Sequence, residues 1–144
     1  MKRAIGNGKG VVAGVGEGFA LVSEQPFSFW GDLDPVTGKV INPRSNLAGE
    51  SIKDKVFVYP RGRGSSTTSA VLLEAVRCSN APSAIVSVDV EHILALGAIV
   101  SQELYSKTVP ILAISEDTIR QLRTGDYLIV DASAGKLYRV EKDS

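Results

Sequence analysis

The sequence has one cysteine, Cys78, and one histidine, His92. A single thiol excludes an internal disulfide. It also excludes an iron–sulfur cluster held by this chain's own thiols, since such sites take about three or four cysteines. One imidazole excludes a histidine-rich metal site and a paired-histidine site within one chain, so no metal ligands are expected here. Net charge is absent too: Lys+Arg and Asp+Glu each number 16. That leaves no electrostatic footprint for nucleic acid or an anionic membrane. No apolar run reaches the ~18 residues of a membrane span. The start, MKRAIGNGKG, lacks the apolar centre of a secretory signal. The expectation is a cytoplasmic chain that meets neither nucleic acid nor membrane.

What is present suits one soluble domain over residues 1–144, 44% hydrophobic and 22% charged, with its own core. The first third is rich in turn formers: GNGKG, GVGEG, DLDPVTGK and NPRSN. Between them GFALVSE and GKVIN read as short strands. In DPVTGK, Pro35 pre-sets φ and Gly38 permits a positive φ, which makes a turn. The character then changes. KVFVYP is β-rich and stops at Pro60. SSTTSAVLLEAVRC has helical spacing, with Val71, Leu72, Ala75 and Val76 on one stripe. SAIVSV and VPILAI are apolar runs that suit strands buried on both faces. HILALGAIVSQELY reads as a helix with Gly97 inside it. SEDTIRQL is a helix with Ser115 as N-cap. DYLIVDA and KLYRV close as a hairpin around Gly135. Alternating strands and helices in the middle imply parallel pairing. The predicted fold class is α/β, a three-layer β/β/α domain: helices, a mostly parallel sheet, and a smaller β layer from the first third and the tail.

The chemistry concentrates in PRGRGSSTTS, which leaves the carboxyl end of one strand and enters a helix. In an open α/β sheet, ligands bind there. Gly62 and Gly64 let the backbone turn tightly and approach a ligand. The unpaired N–H groups of the helix start carry roughly +0.5 charge. Arg61 and Arg63 add bidentate donors for carboxylate or phosphate. All of this favours an anion. A Walker A loop is excluded, because a single residue separates the two glycines and no lysine follows. There is no Gly-x-Ser-x-Gly for a serine hydrolase. The plainer reading is that Ser65 or Ser66 is an N-cap.

PRGRGSSTTSAVLLEA, with the preceding GESIKDKVFVYP, resembles the small subunit of the aconitase X family. GEGFALVSEQPFSFWGDLDPVTGKVI, APSAIVSVDVEHILALGAIVSQ and LRTGDYLIVDASAG resemble it as well, in the right order and over nearly the whole chain. The resemblance implies a swivelling β/β/α domain that pairs, as a heterodimer, with a large subunit carrying an iron–sulfur cluster. It implies a hydro-lyase, a dehydratase active only in that assembly. Family activities are cis-3-hydroxy-L-proline dehydratase and, in archaea, phosphomevalonate dehydratase. Arg63, Ser66 and TTSAVLLEA depart from the archaeal pattern, so the expected hydroxy acid is cis-3-hydroxy-L-proline, with phosphomevalonate as alternative. Carried over by position, Ser65 is the catalytic base that takes the proton next to the substrate carboxylate. Arg61, Arg63, Gly64 and Ser66 bind substrate. Thr68 stands where the family usually has glycine, in the first turn of the helix. Cys78 is expected as a buried small apolar residue.

Two further expectations concern other residues. VEHILALGAIV faintly resembles the phosphohistidine stretch of swivelling phosphocarrier domains, but SVDVE replaces the Gly-rich Thr-Ser lead-in. His92 therefore reads as a surface histidine at a helix start, with a phosphocarrier or a non-catalytic anion-binding module as rival functions. Asp89 and Glu91 fall beside the candidate loop, as groups that position substrate or the large subunit, or as helix N-terminal acids. Phe27, Phe29 and Trp30 suit either a partner interface or packing within the domain. Asp32 and Asp34 read as turn acids.

Overall fold

The glycine-rich start of the chain, expected as turns, is an 11-residue strand. The computed structural model describes residues 1–62, 67–90 and 92–141. In chain order its elements are β1 (Lys2–Val12), β2 (Val15–Val22), α1 (Phe29–Asp32), β3 (Leu33–Asp34), β4 (Lys39–Val40), β5 (Val56–Arg61), α2 (Thr68–Arg77), β6 (Ala84–Asp89), α3 (His92–Tyr105), β7 (Ile111–Ile114), α4 (Glu116–Arg120), β8 (Tyr127–Asp131) and β9 (Lys136–Val140). β1 pairs with β9 from Lys2 to Asn7 and then with β7 from Gly8 to Val12. Its glycines allow close approach rather than a turn. A Cβ on Gly8 would sit 2.0 Å from the Ala113 carbonyl oxygen, and one on Gly10 1.8 Å from that of Ala132. Only bare backbone passes between those chains.

β2 makes the same change of partner. Val15–Phe19 pairs antiparallel with β8, and Ala20–Val22 pairs parallel with β5. β5, β6 and β7 follow in parallel, as the crossover helices require. Because β1 and β2 each belong to both β layers, the layers join into a closed barrel in the order β1-β7-β6-β5-β2-β8-β9. The architecture is α/β in the expected β/β/α arrangement, with the two β layers continuous at their edges. The expected strand GKVIN shrinks to β4, which forms a separate hairpin with β3. Asp34 shapes its turn by accepting from the Val36 N–H at 3.0 Å, and Gly38 has φ +77°.

Strand alternation sorts the core into two parts. Val56 and Val58 of β5 pack inside the barrel with Leu112, Leu128 and Leu137. Phe57 and Tyr59 point the other way, into the layer that holds Leu72 of α2 and Leu94 of α3. α4 contributes Ile119 to the barrel interior. Its N-cap is Ser115, which accepts from the Thr118 N–H at 3.3 Å.

Candidate functional site

β5 carries the candidate loop at its carboxyl end, and a neighbouring strap fixes that end. Phe27 donates its N–H to the Arg61 carbonyl at 3.0 Å, and Ser23 donates to the Val58 carbonyl at 2.8 Å. Phe27 also forms a parallel bridge with Gly62. The Phe27 ring lies 4.7 Å from Phe57 and 5.2 Å from Phe29, edge to face in each case. Phe29 meets Tyr59 at 6.0 Å. Four buried aromatic rings thus brace the strand from which the loop departs, each such pair adding about 0.5–1.5 kcal/mol beyond area burial. This divides the FSFW stretch: Phe27 and Phe29 are core, whereas Trp30 is 64% exposed.

Asp32 is more than a turn acid. It is buried, accepts from the Ser28 N–H at 2.9 Å and from Asn42 Nδ2 at 3.0 Å. It ties the strap to the segment after β4. No spacing rule in the sequence marks it. The nearest signal is the S-x-x-x-D spacing across a one-turn helix.

Arg61 is exposed at the last position of β5. Its register partner is Asp89, the exposed last residue of β6. The two parallel strands therefore bring a cation and an anion to one edge. The next elements, α2 and α3, both begin at that edge. α2 points its N-terminal N–H groups back toward it, which adds positive potential. Its N-cap is Thr67, whose side chain makes no capping hydrogen bond. The helix therefore starts after the serines, and the N-cap position expected for Ser65 or Ser66 falls to Thr67 instead. Arg63, Gly64, Ser65, Ser66 and Glu91 lie outside the described residues.

Two hydroxyls in this region are more deeply buried than the sequence indicates, although Thr68 stands in the first helical turn as expected. Thr68, the first residue of α2, is 1% exposed, and its buried Oγ1 has no hydrogen-bond partner among the described residues. Ser87, within the apolar run 84–88 of β6, is fully buried and donates to the Asp89 carbonyl at 3.5 Å. It is the register partner of Tyr59. A serine within the apolar run SAIVSV was the available signal. Beside Pro60, a groove of about 850 Å³ is bordered by Glu24, Glu50, Arg120 and Arg123, so its rim carries both signs of charge.

His92 is the exposed first residue of α3, as expected for a surface histidine at a helix start. Cys78 differs from expectation. It is half-buried, and its Sγ donates to Glu74 Oε1 at 3.4 Å. Burial, first, and that hydrogen bond, second, push the thiol above its ordinary pKa. It sits at the C-cap of α2, about 15 Å along the axis from the loop end.

Comparisons with known proteins agree with this geometry. Residues 5–139 match the family model of the aconitase X swivel domain. The chain is 39% identical over 129 residues to the phosphomevalonate dehydratase small subunit of Methanosarcina mazei, covering 89% of this chain and 85% of that one. It is 33% identical over 124 residues to a cis-3-hydroxy-L-proline dehydratase of Hypocrea jecorina, covering 86% of this chain but 21% of that one. Among solved structures, the crystal structure of Thermococcus kodakaraensis aconitase X in its holo form superposes with a TM-score of 0.85 at 35% identity, over 98% of this chain and 99% of that chain.

Proposed function

Because the chain belongs to the aconitase X swivel-domain family, we propose that it is the small subunit of a dehydratase that removes water from a hydroxylated carboxylate. The observation that carries the reading is the place of PRGRGSS: it follows the braced carboxyl end of β5 and precedes the N-terminus of α2. Arg61 and Arg63 hold the substrate carboxylate, with Gly64 and Ser66 completing the cradle. Ser65 is the base that removes the proton from the carbon next to that carboxylate. A free serine is too weak an acid for this, so the helix N-terminus and Arg63 stabilise its alkoxide.

This chain's residues do not fit a cluster site. The single thiol is engaged by Glu74 at the far end of α2, and such clusters take about three or four cysteines. We assign the iron–sulfur cluster to a large subunit. When bound there, it supplies a Lewis acid for the departing hydroxyl. The partner is implied by the small-subunit names of the relatives.

For the substrate, the loop sequence supports cis-3-hydroxy-L-proline, because Arg63, Ser66 and TTSAVLLEA depart from the archaeal pattern. A second reading, phosphomevalonate, is supported by the higher identity and near-full coverage of the archaeal small subunits. Co-expression with the large subunit and assay of both compounds for loss of water separates them. The expected result is turnover of cis-3-hydroxy-L-proline by the complex and none by this chain alone. Turnover of phosphomevalonate only would overturn the first substrate. Turnover of either by this chain alone would overturn the subunit reading.

A further inference from the structure

α3 is apolar on two faces. Leu94, Ala95, Gly97, Ala98 and Ser101 are buried and pack toward α2 and the parallel sheet. On the other side Ile93, Leu96, Ile99 and Leu104 are 38%, 51%, 50% and 64% exposed. At 100° per residue these four fall within an arc of about 140°, along about 16 Å of helix, and the exposed His92 and Glu103 are the polar residues inside that arc. A surface helix normally turns charged or polar residues outward, and one that is apolar all round is normally buried all round.

The stripe starts at the edge that carries the candidate site. Ile93 lies in the first turn of α3, just after β6, whose last residue Asp89 is the register partner of Arg61. A body that covers the shared edge of Arg61 and Asp89 therefore lies beside the first turn of α3, which holds Ile93. In the Hypocrea jecorina relative the matched 124 residues are 21% of the chain. Most of that protein is thus further chain covalently joined to a domain like this one. We infer that the Ile93–Leu96–Ile99–Leu104 face of α3 is a docking surface for the large subunit. The inference rests on the small-subunit reading above and names the face that the partner covers. Such a face is the apolar centre of an interface, with the carboxyl ends of β5 and β6 at one end of it.

The test uses the complex, with the large subunit co-expressed with this chain. Wild-type association is measured first, and its absence would sink the small-subunit reading together with this surface. Given wild-type association, Leu96→Glu/Ile99→Glu should weaken it about thirtyfold or more, the effect of losing one interface hot spot. The isolated double variant should melt with the wild-type chain, because both side chains are exposed. Ile41→Glu, at an exposed residue outside α3, should leave association unchanged. Unchanged affinity in the double variant would overturn the docking surface alone. So would self-association of the isolated chain that the double variant abolishes, since the face would then belong to a second copy.

Discussion

A methyl group on Gly97 would lie 2.9 Å from the Ser69 Cα and 3.0 Å from its carbonyl oxygen. α2 and α3 therefore meet backbone to backbone, one turn from the candidate loop. Alanine gains about 1 kcal/mol over glycine within a helix, but overpacking costs about 1–3 kcal/mol, and here the obstacle is backbone that cannot rotate aside. Gly97→Ala should lower the Tm of the isolated chain. Gly31→Ala is the comparison, since its added methyl would meet only Ser28 Oγ at 4.0 Å. It should leave the Tm unchanged or raise it. Equal melts for the two variants would show that the helices have room to part.

Asp32 should be a stability residue rather than a turn former. Removing its carboxylate strands the Ser28 N–H and Asn42 Nδ2, both part-buried. A buried donor left without an acceptor costs about 1–3 kcal/mol. Asp32→Ala should lower the Tm accordingly, whereas Asp34→Ala should change it far less, because Asp34 makes a local bond on an exposed turn. Equal effects from both variants would return Asp32 to the turn class.

The parallel half of the fold was legible in the sequence, because a strand buried on both faces is a plain apolar run. VFVY, AIVSV and ILAI mark their own positions. β1 was not, since its signal is inverted. Gly8 and Gly10 are there so that other backbone can come close, and a glycine pair reads as a turn when its neighbour in space is unknown. The division between Phe29 and Trp30 was likewise hidden: adjacent aromatics in one short helix face opposite ways, and composition does not say which. At the site, Arg61 and the strand-end position were readable. The burial of Thr68 and Ser87 was not, because a buried hydroxyl looks like any surface serine or threonine until its surroundings are known.

Cys78 should react slowly. Burial and the Glu74 hydrogen bond both raise its pKa, and the thiolate is the nucleophile. At pH 8 less thiolate is present than for an ordinary cysteine, so alkylation by iodoacetamide should be slower and its pH profile displaced upward. Glu74→Ala removes one of the raising influences and leaves the lowering effect of Arg77. The profile should then move toward lower pH and the reaction should quicken. An unmoved profile would mean that Glu74 has no hold on the thiol.

Arg63→Ala should raise KM and lower kcat together in the assembled enzyme, because the guanidinium is assigned to both the carboxylate and the Ser65 alkoxide. Loss of one partner of a buried charged pair costs on the order of 2–5 kcal/mol. Arg63→Lys should recover part of this, since an ammonium cannot make the planar bidentate contact. An unchanged kcat/KM would remove Arg63 from the site.

Ser65→Ala separates catalyst from cap. A capping serine replaced by alanine costs about 0.5–2 kcal/mol of stability, but the N-cap of α2 is Thr67. Ser65→Ala should therefore melt within error of the wild type. As the base, its loss should cut kcat by at least about 10²-fold, the low end for general acid–base catalysis. KM should move less, since the proton is transferred only in the transition state. Ser66→Ala should instead weaken binding more than chemistry. Thermal melts and kinetics belong on the same preparations of the complex, so that a folding defect is not taken for a chemical one. Wild-type kcat in Ser65→Ala, at any melting temperature, would remove the serine from the reaction.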